Sequence, residues 1–148
     1  MMKHLTTFGK NFLKCGLTGW CMEIIFTSLK ALRSKDFTLT GHTSLWMFPI
    51  YGGAALFSPI SRLIRTKSIL VRGLTYMSLI FSAEYLSGKF LLKRNLCPWD
   101  YGNCRFHINR VIRLDFAPYW FGAGLLFERL VASSSSKRDT PATKTHPH

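Results

Sequence analysis

Residues 37–61 read FTLTGHTSLWMFPIYGGAALFSPIS and contain no Asp, Glu, Lys or Arg. An uncharged stretch of that length exceeds the roughly 20 residues a helix needs to cross a hydrocarbon core. Pro49 and the Gly52-Gly53 pair would break a helix in water. In a bilayer they are tolerated, because neighbouring helices satisfy the backbone groups they free. GHTS at its start suits a helix N-terminus, with Thr43 or Ser44 as cap beside His42, and Trp46 marks an interface. The segment predicts a membrane helix over residues 42–61.

Three further segments are apolar but carry charge. Residues 13–32 hold Lys14 and Glu23, residues 69–92 hold Arg72, Glu84 and Lys89, and residues 116–132 hold Glu128 and Arg129. Lys and Arg near helix ends reach the interface along their apolar stems, so only the glutamates need a special account. The pattern predicts an all-α fold: an integral, multi-pass membrane bundle of about four transmembrane helices within a domain of residues 1–132. Both termini then lie on one side. SSSSKRDTPATKTHPH, residues 133–148, has no large apolar side chain and reads as a disordered polar tail.

The net charge of +13 calls for an anionic partner. Basic residues gather between the apolar stretches, as in SRLIRTKSILVR (61–72) and GKFLLKRN (88–95). That distribution suits loops beside lipid headgroups and argues against nucleic acid, which would need basic faces on amphipathic elements. The basic N-terminus lacks the cleavage pattern of a secretory signal and the arginines of a mitochondrial presequence. Neither the organelle nor the orientation follows, because every loop is basic.

Three of the seven acidic residues, Glu23, Glu84 and Glu128, fall in the most apolar segments. On helices, each has small or polar neighbours on its own face: Gly16, Gly19 and Thr27 with Glu23, Gly88 with Glu84, and Gly124 with Glu128. Small residues let helices approach closely in lipid, and polar ones bond across the contact. The glutamates therefore read as helix–helix glue, as a pathway for protons, cations or amines, or as acid–base groups at the bilayer surface.

Residues 94–114, RNLCPWDYGNCRFHINRVIRL, read as a polar, aromatic-rich loop with turn signals at Cys97-Pro98 and Tyr101-Gly102-Asn103. Trp99, Asp100 and Tyr101 suit a loop docked at headgroup level. Asp100 either bonds backbone N–H groups in the turn or contacts a headgroup or amine. Cys97 and Cys104 would form a disulfide in an oxidising lumen. Adding His107 gives three ligands at spacing unlike a zinc site, so no metal and no cofactor are expected. Cys15 and Cys21 read as small hydrophobes.

FPIYGGAALF (48–57) is matched by APYWFGAGLL (117–126), each following a segment with a mid-helix glutamate. That suggests a two-plus-two internal repeat with halves of like orientation.

GWCMEIIFTSL, GHTSLWMFPIYG, AEYLSGKFLLKRNLCPWDY and WFGAGLLFE together resemble the transmembrane protein 229 family of animals. Its wider group includes bacterial members labelled type IV ABC-transporter-like membrane proteins. The resemblance covers residues 17–130 and implies a multi-pass membrane protein of four helices. It places the family's Glu-Tyr pair at Glu84-Tyr85, its Trp-Asp-Tyr at Trp99, Asp100 and Tyr101, and its first-segment glutamate at Glu23. Bacterial relatives continue with Phe-Asn-Ile and Gly-Arg-Ile. Here the chain reads FHINRVIRL, with His107 in place of the Asn and Arg110-Val111 in place of Gly-Arg.

No nucleophile elbow, zinc-protease helix or P-loop occurs, which weighs against an enzyme. The first functional reading is a small membrane component that assembles as a homo-oligomer or with a larger membrane partner, with transport as its setting. The alternative is a lipid-directed enzyme or headgroup-binding protein using Asp100, His107 and the glutamates.

Overall fold

The computed structural model describes residues 2–136, and it is predominantly helical. The first helix, α1 (Met2–Arg33), begins well before residue 13, where apolar character first becomes dense. α1 ends at Lys35, whose φ of 59° lets the Asp36 N–H reach back to the Ala31 carbonyl at 3.0 Å. This closure satisfies carbonyls that the last turn leaves open.

Residues 37–46 are not helical, which corrects the start expected at residue 42. Side-chain bonds compete for the backbone here: Asp36 Oδ1 accepts both the Thr38 N–H (3.0 Å) and the Thr38 hydroxyl (2.7 Å). Helix α2 (Met47–Gly52) passes into a 3₁₀ turn (Gly53–Leu56) and then α3 (Phe57–Ile64). Pro59 has no N–H for the Ala55 carbonyl and its ring crowds that group, which accounts for the tightened stretch just before it. The run nevertheless stays right-handed from 47 to 64, roughly 29 Å at standard rises.

Helix α4 (Ile69–Leu92) is capped by Ser68, whose hydroxyl accepts the Val71 N–H at 3.4 Å. It ends as α1 does, with Asn95 at φ 56° and the Leu96 N–H on the Leu91 carbonyl at 2.9 Å. The long loop is not wholly irregular. It contains an antiparallel hairpin, β1 (His107–Ile108) with β2 (Ile112–Arg113). Its turn holds Asn109 (φ 50°) and Arg110 (φ 65°), the left-handed pair that matches strand twist. A short 3₁₀ turn (Leu114–Phe116) leads into α5 (Ala117–Ser136). α5 includes residues 133–136, which were expected to open the tail; the remainder of that tail lies outside the described residues.

Two hairpins make the bundle. α1 packs against α2 and the 3₁₀ turn, α4 packs against α5, and α5 joins the halves through α1 and α3. Cys15, Ala54, Phe57, Tyr76, Ala123, Phe127 and Val131 form the core. The outer surface is apolar: Leu13, Leu17, Ile25 and Leu29 of α1, and Leu70, Leu74 and Leu86 of α4, are exposed. Two helical segments, Leu5–Arg33 and Ile69–Leu92, are long and apolar enough to cross a membrane, and only 17% of either window is buried inside the chain.

Candidate functional site

The stripe on α1 faces the segment that enters and forms α2. A Cβ on Gly16 would fall 2.8 Å from the Phe48 ring, and one on Gly19 would fall 2.1 Å from Tyr51. One turn beyond Gly19, Glu23 Oε2 accepts the Thr43 hydroxyl at 2.7 Å. A further turn on, Thr27 Oγ1 accepts the His42 N–H at 2.8 Å. The two glycines thus bring Phe48 and Tyr51 against α1, and Glu23 fastens the irregular entry segment to it.

Glu84 lies on the inward face of α4 and is 8% exposed. Trp120 Nε1 of α5 donates to its Oε2 at 3.2 Å, and the Tyr101 hydroxyl of the loop lies near the same carboxylate. Tyr51 sits within electrostatic reach of both Glu23 and Glu84, and Tyr101 within reach of Glu84, Tyr51 and Glu23. Five parts of the fold therefore converge: Glu23 from α1, Tyr51 from α2, Glu84 from α4, Tyr101 from the loop and Trp120 from α5. Burial beside Glu84 pushes the Tyr101 phenol up, so it remains a donor. Among the described residues neither carboxylate has a Lys or Arg in ion-pair contact. Such a centre has acceptors to spare for a proton, a cation or an ammonium group.

Glu128 is different. Arg72 Nε donates to both of its oxygens, at 3.1 and 3.2 Å, and Arg72 Nη2 also reaches Oε2. The Tyr76 hydroxyl donates to Oε1 at 3.0 Å, and Ser61 of α3 lies within bonding reach of Tyr76. This carboxylate is neutralised in place and ties α4 to α5. Glu128 thus sits in its own ion pair, while Glu23 and Glu84 both lie within electrostatic reach of Tyr51 and Tyr101.

The loop residues serve the turn. Trp99 Nε1 donates to the Val111 carbonyl at 3.0 Å, and Trp99 and Val111 both pack on Gly88. Asp100 Oδ1 accepts the Gly102 N–H at 2.8 Å, and Arg110 grips the same carboxylate. The Arg110 guanidinium, then the Gly102 N–H, hold the Asp100 carboxyl down at about 2. Arg110 takes φ 65°, a conformation that Gly adopts freely. His107 Nδ1 lies 2.7 Å from the Cys104 carbonyl. Cys97 and Cys104, which would pair in an oxidising lumen, are not bridged in this structure, and Cys97 Sγ donates to the Trp99 carbonyl at 3.1 Å. Of the loop's candidates, only Tyr101 reaches the carboxylate centre.

Sequence reasoning missed Tyr51 and Trp120 as members of that centre, yet the repeat points to both. They occupy equivalent places, each two residues after the proline of its motif. The residues that follow them make the same contact with sizes exchanged. Gly52 receives the Phe12 ring, three turns before Glu23, while Phe121 fills the space at Gly73, three turns before Glu84.

A protein-family model described as "Putative ABC-transporter type IV" matches residues 10–145. No solved structure matches the chain.

Proposed function

The chain belongs to the ABC-transporter type IV family matched above, and from that premise we propose that it is a small multi-pass membrane component of a transport-type assembly. In this reading four helical runs cross the bilayer: α1, the α2–α3 run, α4 and α5. The chain assembles with itself or with a larger partner, and it stands in the animal transmembrane protein 229 branch whose motifs it resembles. The observation that carries the reading is a broad exposed apolar surface around a core that also buries polar side chains. Asn11 (2%), Glu128 (4%) and Glu84 (8%) are buried, whereas Leu13, Leu17, Ile25, Leu70 and Leu86 face outward. Water would impose the opposite arrangement. A bilayer tolerates ionisable groups only when they face the bundle interior.

The Glu23–Tyr51–Glu84–Tyr101–Trp120 centre is the transport-relevant site in this reading, holding a proton or a protonated amine between helices of both halves. A headgroup-directed enzyme is less well supported, because Asp100 and His107 are both engaged within the loop.

Two measurements test this. Carbonate washing of membranes should leave the chain in the pellet, and single-cysteine labelling should place residues 65–68 on the side of the N-terminus and residues 34–44 on the opposite side. Release by carbonate would end the membrane reading. In proteoliposomes of wild-type chain, alone or with its partner, proton or amine flux should fall in Glu23→Gln and Glu84→Gln while both variants remain folded. The Gln amide oxygen of Glu84→Gln still accepts the Trp120 N–H, so loss of flux without loss of fold isolates the carboxylate. Full flux in both variants would remove the centre from the transport path.

A further inference from the structure

We propose that a cleft between the N-terminal part of α1 and the 3₁₀–α3 segment binds a phosphate ester that also carries a hydroxyl or ammonium group. The cleft has a volume of about 270 Å³ and is lined by Thr7, Phe8, Asn11, Leu56, Pro59 and Arg62, among others. Asn11 is 2% exposed, and its Oδ1 accepts no hydrogen bond. An orphaned acceptor at that depth is costly, which is why buried polar groups are nearly always paired. Its own chemistry states what is missing: a donor supplied from the cleft.

The second half of the molecule shows what this position holds when it is filled. Asn11 immediately precedes Phe12, and Arg72 immediately precedes Gly73, the two residues that occupy equivalent places in the repeat. By the same correspondence Pro59 of α3 stands where α5 has Glu128. In the second half the space is closed by the Arg72–Glu128 ion pair. In the first half both charged members are absent and the space is open. A cation is nevertheless present, because Arg62 lies in the last turn of α3 and lines the cleft. It forms no ion pair among the described residues. An anion seated beside it would come from outside the chain.

A guanidinium selects phosphate by its forked donors, and Asn11 Oδ1 selects a hydroxyl or ammonium on the same group. Phe8, Leu56 and Pro59 offer apolar walls to the carbon skeleton between them. The headgroup of a phospholipid has this chemistry, and so does a soluble glycerophosphodiester. The choice of lipid as a source rests on the membrane placement proposed above; the cleft's chemistry does not.

The test uses the full chain in phosphatidylcholine nanodiscs containing phosphatidylglycerol, with retained lipid read by native mass spectrometry after release. Retention of phosphatidylglycerol should fall roughly tenfold or more in Arg62→Gln and in Asn11→Leu, as expected on losing a charge-assisted bond. Arg65→Gln, an exposed arginine outside the cleft, should retain lipid as wild type does. Competition by deacylated glycerophosphoglycerol would identify the soluble ester as an equal source, whereas retention of intact lipid alone would identify the headgroup. Equal losses in Arg62→Gln and Arg65→Gln, or no retention above phosphatidylcholine in wild type, would overturn the proposal. Since Arg62 is exposed, its variant should fold even if Asn11→Leu does not. A chain that washes off membranes but still binds glycerophosphoglycerol through Arg62 would sink the membrane reading and leave the cleft standing.

Discussion

Arg72 and Glu128, 56 positions apart, meet through paired bonds from one guanidinium nitrogen to both carboxylate oxygens, with Tyr76 closing the third side. The Glu128 side chain is 6% exposed and that of Arg72 is 27% exposed. Removing one partner leaves the other charge poorly solvated, whereas removing both leaves only a packing change. Glu128→Leu should therefore lower stability in detergent by about 1.5–3 kcal/mol, the usual scale for a charged hydrogen bond. The double variant Arg72→Leu with Glu128→Leu should recover a large part of that loss. Additive losses would mean that the two side chains do not act as a pair.

Gly19 and Gly124 set how closely the helices of each half approach. A Cβ on Gly124 would lie 2.4 Å from Tyr76 Cβ, a stem atom that cannot swing away, and one on Gly19 would lie 2.1 Å from the Tyr51 ring. Gly124→Ala and Gly19→Ala should each cost about 1–3 kcal/mol, the range for overpacking. Gly122→Ala is the control, because a Cβ there meets nothing within 4 Å. Thermal unfolding of the three purified variants checks the order. Helix propensity favours Ala over Gly at all three positions, so an equal loss at Gly122 would show that the contacts at Gly19 and Gly124 are not its cause.

The stripe of Gly16, Gly19, Glu23 and Thr27 was legible because helical spacing alone puts those side chains on one face. Where their partners begin was not. The uncharged run from 37 onward looks helical from its composition, but the Thr38 N–H is taken by Asp36 and the His42 N–H by Thr27, and no helix starts before Met47. The start of α1 was obscured for a related reason: Lys3 and Lys10 dilute the apolar signal without breaking the helix. Long-range partners leave no local trace. Nothing near Glu84 announces Tyr101 or Trp120, and nothing near Glu128 announces Arg72. The repeat was the one signal that crosses such distances, since it ties Tyr51 to Trp120 and Asn11 to Arg72 through position alone.

Cys97 and Cys104 provide a test of the loop. The structure leaves them unbridged, so both should accept maleimide without prior reduction once the loop is exposed to reagent. Burial pushes the Cys97 thiol up, and a backbone hydrogen bond at Trp99 opposes it. Its thiolate is scarce at neutral pH, and its labelling rate should keep rising beyond pH 9, the region where an unperturbed thiol would level off. Cys15, fully buried in the core, should stay unlabelled in the folded chain. Labelling of the loop pair only after reduction would establish the disulfide that the structure lacks.

Asp100 gives the loop a pH dependence of definite sign. Its carboxyl falls from 3.8 to about 2, first through the Arg110 side chain and then through the Gly102 N–H. A carboxyl lowered on folding contributes stability that is fully present above its unfolded value and is lost as pH falls through its folded one. The turn should therefore hold constant from neutral pH down to about 4 and loosen towards pH 2. Trp99 fluorescence is a local readout, because its indole bonds to the Val111 carbonyl across the same turn. In Arg110→Gln the larger cause is removed and the Gly102 bond remains, so the transition should move upward towards 3.8. Arg110→Gly removes the same charge but suits the backbone at φ 65°, so it should loosen the turn less than Arg110→Val, which is β-branched and strained there. A turn equally firm in all three variants at pH 3 would show that the Asp100–Arg110 pair does not hold it.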